Sequence, residues 1–341
     1  MKTENIFPAC KVEFPASIEG RSAAFFLAAE EYFANEMPEN NYVFFWQLRP
    51  TCVFGRHQDP SLELDIDFCQ KHSIELVRRK SGGGTIFADE NNIMVSLVTV
   101  GGAVEPVFNA FSQEIASCLK HLGAPMKVSG RNDICLEDGR KICGGAFYHL
   151  KNRNIVHCTM LYDTNMELMR GCLTPARAKL ASKGVKSVPS RIGLLREFFP
   201  FSIEELRKKL GSLLTNRTLV LTDQQVSRIS EIEKSYHETT YIYGRKTKDF
   251  PKPAFSLSRR IEDCGRIDME IYTHSDLVCD VKLRGDFFET GDAPATESFR
   301  KAFIGIPGQM SALKDATCRH HPEKSVRGLS EKALLEMLSE D

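Results

Sequence analysis

Three consecutive glycines at positions 82–84 constrain this chain more than any other feature. They follow the basic segment Arg-Arg-Lys-Ser at 78–81 and lead into the apolar, strand-like run Thr-Ile-Phe at 85–87. Because glycine has no Cβ, it tolerates positive φ angles and lets a phosphate or carboxylate lie directly against backbone N–H groups. Arginine adds a planar, permanently charged fork that matches the same anions. The segment predicts an anion-binding loop, although a flexible surface turn is the commoner explanation for a glycine-rich loop on its own.

A second glycine-rich cluster downstream strengthens that prediction. It consists of Gly-Arg-Asn-Asp at 130–133, Gly-Arg-Lys at 139–141 and Gly-Gly-Ala at 144–146. Apolar runs flank the Asp138-Gly139 pair, which is typical of a β-hairpin turn. Lys141 then stands on a strand just after the turn, where the backbone holds it firmly. Together the two clusters predict a site for an acyl-adenylate.

The composition restricts the class of protein. A length of 341 residues favours one large and one small domain. The 45 Lys and Arg balance the 45 Asp and Glu, so no overall field draws the chain to nucleic acid or to a membrane surface. The 11 cysteines are never spaced as Cys-x-x-Cys, which indicates reduced thiols. With no apolar run of membrane-spanning length, we expect a soluble, cytoplasmic monomer.

Apolar periodicity predicts an α/β protein of the α+β type. The predicted helices of the first domain span 22–37, with Glu31 on its polar side, and 107–122, with Gly123 just past its end. Predicted strands, rich in aromatic and β-branched residues, cover 42–48, 51–55, 74–77 and 93–99. The strand at 74–77 delivers the glycine loop, and the strand at 93–99 is expected beside it.

The second half of the chain predicts a smaller domain after a linker. Two capping boxes, at 202–205 and 222–225, predict that the large domain finishes with helices. The charged stretch at 244–253 ends with two prolines and is the best linker candidate. Beyond it, alternating strands at 267–272 and 277–283 and helical stretches near 298–303 and 330–338 predict a small α+β module. We therefore place the domains at 1–247 and 248–341.

Joining a carboxylate to a nucleotide requires two anions to approach within bonding distance. That approach costs roughly several kcal/mol unless cations and N–H dipoles are already in place. Arg79 and Lys141 are the predicted cations, and Ser81 and the amides of 82–84 are the predicted donors. Asp133 is a candidate carboxylate for Mg²⁺, which prefers oxygen ligands.

Three segments in order resemble the signature motifs of lipoate–protein ligases. They are Arg-Arg-x-Ser-Gly-Gly-Gly-Thr-Ile-Phe, Gly-Arg-Asn-Asp-Ile and Gly-Arg-Lys-Ile-Cys-Gly-Gly-Ala. The stretches at 27–31, 53–60 and 179–184 agree with the same family. The resemblance implies a large mixed-sheet catalytic domain of the biotin/lipoate ligase type. The segment at 282–288 is similar to the smaller C-terminal accessory domain of ligases that carry out both half-reactions, which favours a ligase over an octanoyl transferase.

The resemblance also implies roles for individual residues. Lys141 matches the catalytic lysine that contacts the carbonyl and phosphate of the lipoyl-adenylate. Trp46 and His157 match residues that line the lipoyl pocket. The full set of predicted substrate- and adenylate-binding residues is Trp46, Arg79, Ser81, Gly82, Gly83, Gly84, Phe87, Asn132, Asp133 and His157. Ala88 departs from the family, which usually has histidine there, so His57 or His157 would have to supply whatever that histidine does. Asp59 likewise replaces a more usual asparagine.

The implied function is ATP- and Mg²⁺-dependent activation of free lipoate or octanoate to the acyl-AMP. Transfer to a lysine of a lipoyl-carrier domain follows, on the acyltransferase subunits of 2-oxoacid dehydrogenases or on the glycine cleavage H protein. One alternative is a lipoyl or octanoyl transferase that uses a preformed donor, with Cys143 or Cys158 as a thioester-forming thiol. Another is a non-catalytic protein that binds acyl-adenylate or carrier. A metal site at 318–321 (Cys-Arg-His-His) lacks a second ligand pair at a suitable distance. The sequence leaves the acyl chain length open.

Overall fold

The computed structural model describes residues 7–18, 20–129, 132–150, 152–173, 192–244, 252–290 and 294–339. Gly130, Arg131, the predicted motif at 179–184 and the linker residues 245–251 lie outside the described residues. No helix in these ranges is long and apolar enough to cross a membrane.

A mixed eight-stranded sheet forms the centre of the large domain. Its strands are β1 (Ala9–Glu13), β2 (Tyr42–Trp46), β6 (Asn92–Val100), β7 (Met126–Ser129), β8 (Asp133–Leu136), β9 (Lys141–Leu150), β10 (Arg153–Leu161) and β11 (Thr215–Val220). They lie in the order β11-β1-β2-β6-β10-β9-β8-β7. β1 runs parallel to both β11 and β2, and the other neighbours are antiparallel. The predicted large mixed sheet is confirmed.

A second sheet of three strands delivers the glycine loop. It contains β3 (Thr51–Phe54), β4 (Glu75–Arg78) and β5 (Ile86–Ala88), with β3 in the middle. β4 does not lie beside β6, so the predicted pairing of these strands is wrong. The short helices α2 (Pro60–Glu63) and α3 (Ile66–Lys71) form a crossover that returns β4 parallel to β3. A parallel partner needs such a crossover, and apolar content alone does not reveal it.

Helices cover both faces of the large sheet. Besides α2 and α3, the helices described in the large domain are α1 (Ala23–Asn35), α4 (Val104–His121), α5 (Met166–Cys172), α6 (Ile203–Leu214), α7 (Asp223–Glu233) and α8 (Thr239–Tyr243). α4 and α6 pack on one face and α1 and α7 on the other. Both predicted capping boxes are present, at Ser202 and Thr222. α1 contacts strands of both sheets, which is why Glu31, expected on a polar face, is buried and paired with Lys80.

The small domain has its own sheet and apolar core. Its antiparallel strands are β12 (Phe255–Ile261), β13 (Gly265–His274) and β14 (Leu277–Gly285). They are covered by α9 (Ala295–Phe303), α10 (Met310–His320) and α11 (Glu331–Met337). β12 and α10 were not predicted. Across the described ranges no cluster of three metal-ligating side chains is present, so the sequence 318–321 does not form part of one.

Candidate active site

A cavity of about 90 Å³ lies between the two sheets of the large domain. It brings together predicted residues from both glycine-rich clusters. Those that line it are Trp46, Arg79, Gly84, Asn132, Lys141 and His157. The remaining wall is largely apolar, with Leu27, Val53 and Met94. Two segments that are more than forty residues apart in the chain therefore meet, as the sequence predicts.

Lys141 begins β9 immediately after the predicted hairpin turn. Gly139 has a φ of 93°, which favours glycine at the turn. The Lys141 ammonium lies 2.7 Å from Asp133 Oδ1, on the facing strand. Its side chain crosses Gly144, where an added Cβ would come within 2.8 Å of Nζ. Gly144 therefore leaves the space that the lysine occupies.

Arg79 is buried and uses most of its donors inside the protein. Four of its five N–H groups donate, to Ser81 Oγ, to the Val53 carbonyl and to the carbonyls of Gly82 and Gly84, at 2.7–3.0 Å. The guanidinium therefore shapes the glycine loop in addition to facing the cavity. Burial lowers the pKa of Arg79 to about 10, with the attraction of the Glu30 carboxylate opposing the shift. Arg79 remains charged at neutral pH.

Arg78 lies outside the cavity and has a structural role. Its guanidinium donates to the carbonyls of Gly55, Arg56 and Gln58 on one side and of Tyr241 and Ile242 on the other. Arg78 thus fastens α8, the last described helix before the linker, to the loop after β3.

The small domain covers the outer side of the glycine loop. The Gly83 N–H donates to the Phe287 carbonyl at 3.0 Å. A Cβ on Gly82 would lie 2.2 Å from that carbonyl oxygen, so the contact requires glycine there. His57 stacks on the Phe287 ring at 4.5 Å and lies 3.2 Å from Glu289. His57 therefore belongs to the contact between the domains and does not line the cavity.

A buried carboxylate behind the cavity, Glu30, was missed from the sequence. Glu30 is 0% exposed, and its Oε1 lies 2.8 Å from His157 Nδ1. His157 Nε2 in turn lies 2.9 Å from Ser81 Oγ. The sequence contained one signal that could have identified Glu30 as buried. Glu30 lies on the same side of α1 as the apolar Phe26 and Phe33, because positions separated by three and four residues share a helix face.

Phe87 and the two candidate thiols lie in the hydrophobic core. Phe87 is 1% exposed and packs in an apolar cluster on the opposite side of the second sheet, among residues such as Cys52 and Phe54. It does not line the cavity. Cys143 and Cys158 are buried against the α4 face of the large sheet. A hydrogen bond with Cys158, followed by burial, raises the pKa of Cys143 well above its usual value, which disfavours the nucleophilic thiolate.

A family model described as the lipoyl protein ligase A/B catalytic domain matches residues 22–214, more than half of the chain. The chain belongs to this family. Among the family's named members, LplJ of Bacillus subtilis is 32% identical over 301 residues, which cover 85% of this chain and 88% of LplJ. Lipoate–protein ligase 1 of Staphylococcus aureus is 30% identical, with the same 85% and 88% coverage.

Solved structures of the family share the fold. LipL1 of P. falciparum in complex with lipoate superposes with a TM-score of 0.75 at 17% identity, covering 97% of this chain and 98% of that one. A lipoate–protein ligase A bound with ATP gives 0.59 at 20% identity, over 69% of this chain and 99% of that one. A bipartite ligase of Thermoplasma acidophilum, studied with its E2 lipoyl domain, gives 0.62 at 23% identity, over 70% and 98%.

Proposed function

We propose that this family member is an ATP-dependent lipoate–protein ligase. It converts free lipoate or octanoate and ATP to the acyl-AMP and pyrophosphate, and then transfers the acyl group to a lysine of a lipoyl-carrier domain. The observation that supports it best is the convergence of Arg79 and Lys141 on one cavity. Two cations from separate segments lower the cost of bringing carboxylate and α-phosphate together.

The cavity has the polarity that a medium-length fatty acid requires. Leu27, Trp46, Val53 and Met94 provide apolar walls, and the Trp46 ring is fixed by stacking on Phe26 at 4.9 Å. Arg79, Lys141 and His157 provide the polar end. An acyl chain would lie along the apolar wall with its carboxylate among these three side chains.

Asp133 is the proposed protein ligand for Mg²⁺. In the described residues its carboxylate is paired with Lys141 and no group of three ligating side chains surrounds it. A single carboxylate nevertheless fits magnesium that arrives with ATP, because that ion keeps phosphate oxygens and waters as its main ligands. Attraction of Lys141 to the phosphates would free the carboxylate for the ion.

The ligase is favoured over the two alternatives. The named ligases match this chain over 85% of its length, which includes residues beyond the catalytic-domain match. A transferase with a cysteine nucleophile would need an accessible thiol, whereas Cys143 does not line the cavity and Cys158, which does, is only 3% exposed. The same match disfavours a non-catalytic binding protein, because the relatives that it covers are named as ligases. We propose the same carrier partners as the family resemblance implies, and a monomeric protein in the cytoplasm.

Incubation with ATP, Mg²⁺, lipoate and a purified apo lipoyl domain, followed by intact-mass measurement, tests the proposal. The expected result is addition of one lipoyl group to the domain, absent when ATP is omitted. Labelling from an octanoyl-carrier donor without ATP would instead identify a transferase. Calorimetric binding of lipoate without any labelled carrier would support the non-catalytic alternative.

A further inference from the structure

Behind the cavity, a continuous hydrogen-bond chain joins the apolar wall to the glycine loop. Trp46 Nε1 donates to Ser96 Oγ at 2.9 Å, and Ser96 Oγ donates to Glu30 Oε1 at 2.6 Å. Glu30 Oε1 also faces His157 Nδ1, His157 Nε2 faces Ser81 Oγ, and Arg79 Nε donates to the same Ser81 Oγ at 2.9 Å. The chain therefore runs from a pocket wall to a predicted adenylate-binding residue.

The order of donors fixes the proton on one nitrogen of His157. An indole N–H only donates, so Ser96 Oγ accepts from Trp46 and its own proton goes to Glu30. Glu30 Oε1 is thus an acceptor, and the proton between it and His157 resides on Nδ1. Only Nε2 can then change its state. Within the described chain no donor reaches Glu30 Oε2, so this buried oxygen has no hydrogen-bond partner.

The state of Nε2 decides what Ser81 can do. In neutral His157, Nε2 accepts the Ser81 hydroxyl proton. In protonated His157, Nε2 donates to Ser81 Oγ, which then accepts two hydrogen bonds, one from Nε2 and one from Arg79 Nε. The Ser81 proton is released in that state for another acceptor. Arg79 and His157, each 2.9 Å from Ser81 Oγ, both line the cavity.

The charged and titratable groups around His157 come from several elements. His157 contacts Glu30 from α1, Ser81 from the glycine loop and the Tyr148 ring from β9, and it shares the cavity wall with Arg79 and Lys141. Asp133 neutralises Lys141 at 2.7 Å, and Glu30 is the buried counter-charge of Arg79. The site is therefore balanced while His157 is neutral. One additional negative charge in the cavity is balanced if His157 takes up one proton.

We infer that Glu30 is a positioning residue that lets His157 Nε2 take up a proton from solvent when the acyl carboxylate enters the cavity. The protonated ring, which lines the cavity, then supplies the positive charge that balances the carboxylate, and it donates to Ser81 Oγ. This inference rests on the proposed function, because it assumes that the cavity receives an acyl carboxylate. No covalent bond is formed or broken in the step.

Calorimetry of lipoate binding in two buffers of different ionisation enthalpy counts the protons taken up. Wild-type protein near neutral pH is expected to take up about one proton per lipoate. Glu30→Gln keeps the shape but removes the charge, so uptake is expected to be largely lost. Lipoate affinity should then fall about tenfold, the usual scale of coupling between two bound species. His157→Gln is expected to remove the proton uptake entirely, so that its affinity for lipoate no longer depends on protonation at this position.

Glu31→Gln is the matched control on the next residue of α1. Glu31 is also buried, but it pairs with Lys80 and Tyr236 and not with His157. It is expected to retain wild-type affinity and proton uptake. Wild-type binding without uptake, or Glu30→Gln or His157→Gln with the wild-type proton count, would overturn this inference alone. Absence of lipoate binding by the wild type would overturn the proposed function as well.

Discussion

Lys141 and Asp133 form an ion pair across the β8–β9 hairpin, with Nζ 2.7 Å from Oδ1. Both side chains are about a third exposed, at 36% and 31%. A pair exposed to this extent contributes about 0–1 kcal/mol to stability. The ion pair therefore contributes little to stability. Its role is to hold the Lys141 ammonium at the edge of the cavity before substrates arrive.

Alanine substitutions at two neighbouring glycines of β9 should have different consequences. A Cβ at Gly144 would contact the flexible end of Lys141, whereas a Cβ at Gly145 would lie 2.8 Å from the buried Phe108 ring. Gly144→Ala is expected to lower the rate of adenylate formation about 10–100-fold by displacing the ammonium. Gly145→Ala is expected to lower the free energy of unfolding by about 1–3 kcal/mol. Pyrophosphate exchange and urea unfolding measure the two effects, and an unaltered rate in Gly144→Ala would contradict the account.

Replacement of the buried thiols should leave lipoylation intact. Cys143→Ala and Cys158→Ala remove the only nucleophiles considered for a thioester pathway, but neither residue has a part in the proposed reaction. Because both are core residues, a loss of stability is expected without loss of ATP-dependent activity in the folded fraction. Intact-mass lipoylation at a temperature where each variant is folded checks this. Abolished labelling in either folded variant would favour the transferase.

The contact between the domains should weaken in acid. Burial alone would raise the pKa of Glu289, but a hydrogen bond from His57 and the charges of His57 and Arg56 outweigh burial and hold this pKa below its ordinary value of 4.5. A carboxyl whose pKa is lower in the folded than in the unfolded protein stabilises the fold fully at pH values above its unfolded pKa. That stabilisation is lost as the pH falls through the lower pKa of the folded state.

Thermal unfolding of Glu289→Gln should therefore depend less on pH than that of the wild type as the pH falls below about 5. Glu297→Gln is the control and should follow the wild type, because Glu297 is an exposed carboxylate of α9 whose ion pair among the described residues is with Arg300 at 3.8 Å. Identical pH profiles for wild type and Glu289→Gln would show that Glu289 does not secure the contact.

Binding of a phosphate to the Gly83 amide should displace the small domain. The Phe287 carbonyl now accepts from that N–H at 3.0 Å, and one N–H does not serve two acceptors well. We predict that the domain swings about the linker at 244–253 during turnover. Crystals with and without acyl-adenylate would test this, and an unchanged Gly83–Phe287 contact with phosphate elsewhere would refute it.

Local signals in the sequence were sufficient to predict the elements that carry Lys141. The Asp138-Gly139 turn and the capping residues Ser202 and Thr222 act over a few residues, so the hairpin and helix starts followed from them. β12 also carries a local signal, because its buried and exposed side chains alternate, yet it was not predicted. Pairing of β4 with β3 depends on a crossover, which no local pattern specifies.

Contacts between distant segments account for the parts of the site that were missed. Glu31 was expected on the polar side of α1, but it is buried because α1 contacts strands of both sheets. The sequence predicts that Gly82 leaves room for a ligand, but in this structure a backbone carbonyl of the small domain occupies that room. The resemblance to a family located the binding residues as a group, whereas their partners became visible only in three dimensions.

Lipoate-dependent exchange of pyrophosphate into ATP, compared between wild type and Lys141→Ala, tests the central claim most directly. Arg140→Ala is the matched control, because that side chain pairs with Asp138 and Glu197 and does not line the cavity. We predict that Lys141→Ala lowers the exchange rate by about 10²-fold or more, with Arg140→Ala close to the wild type. A near-native rate in folded Lys141→Ala would contradict the assignment of this cavity as the site where carboxylate and phosphate are joined.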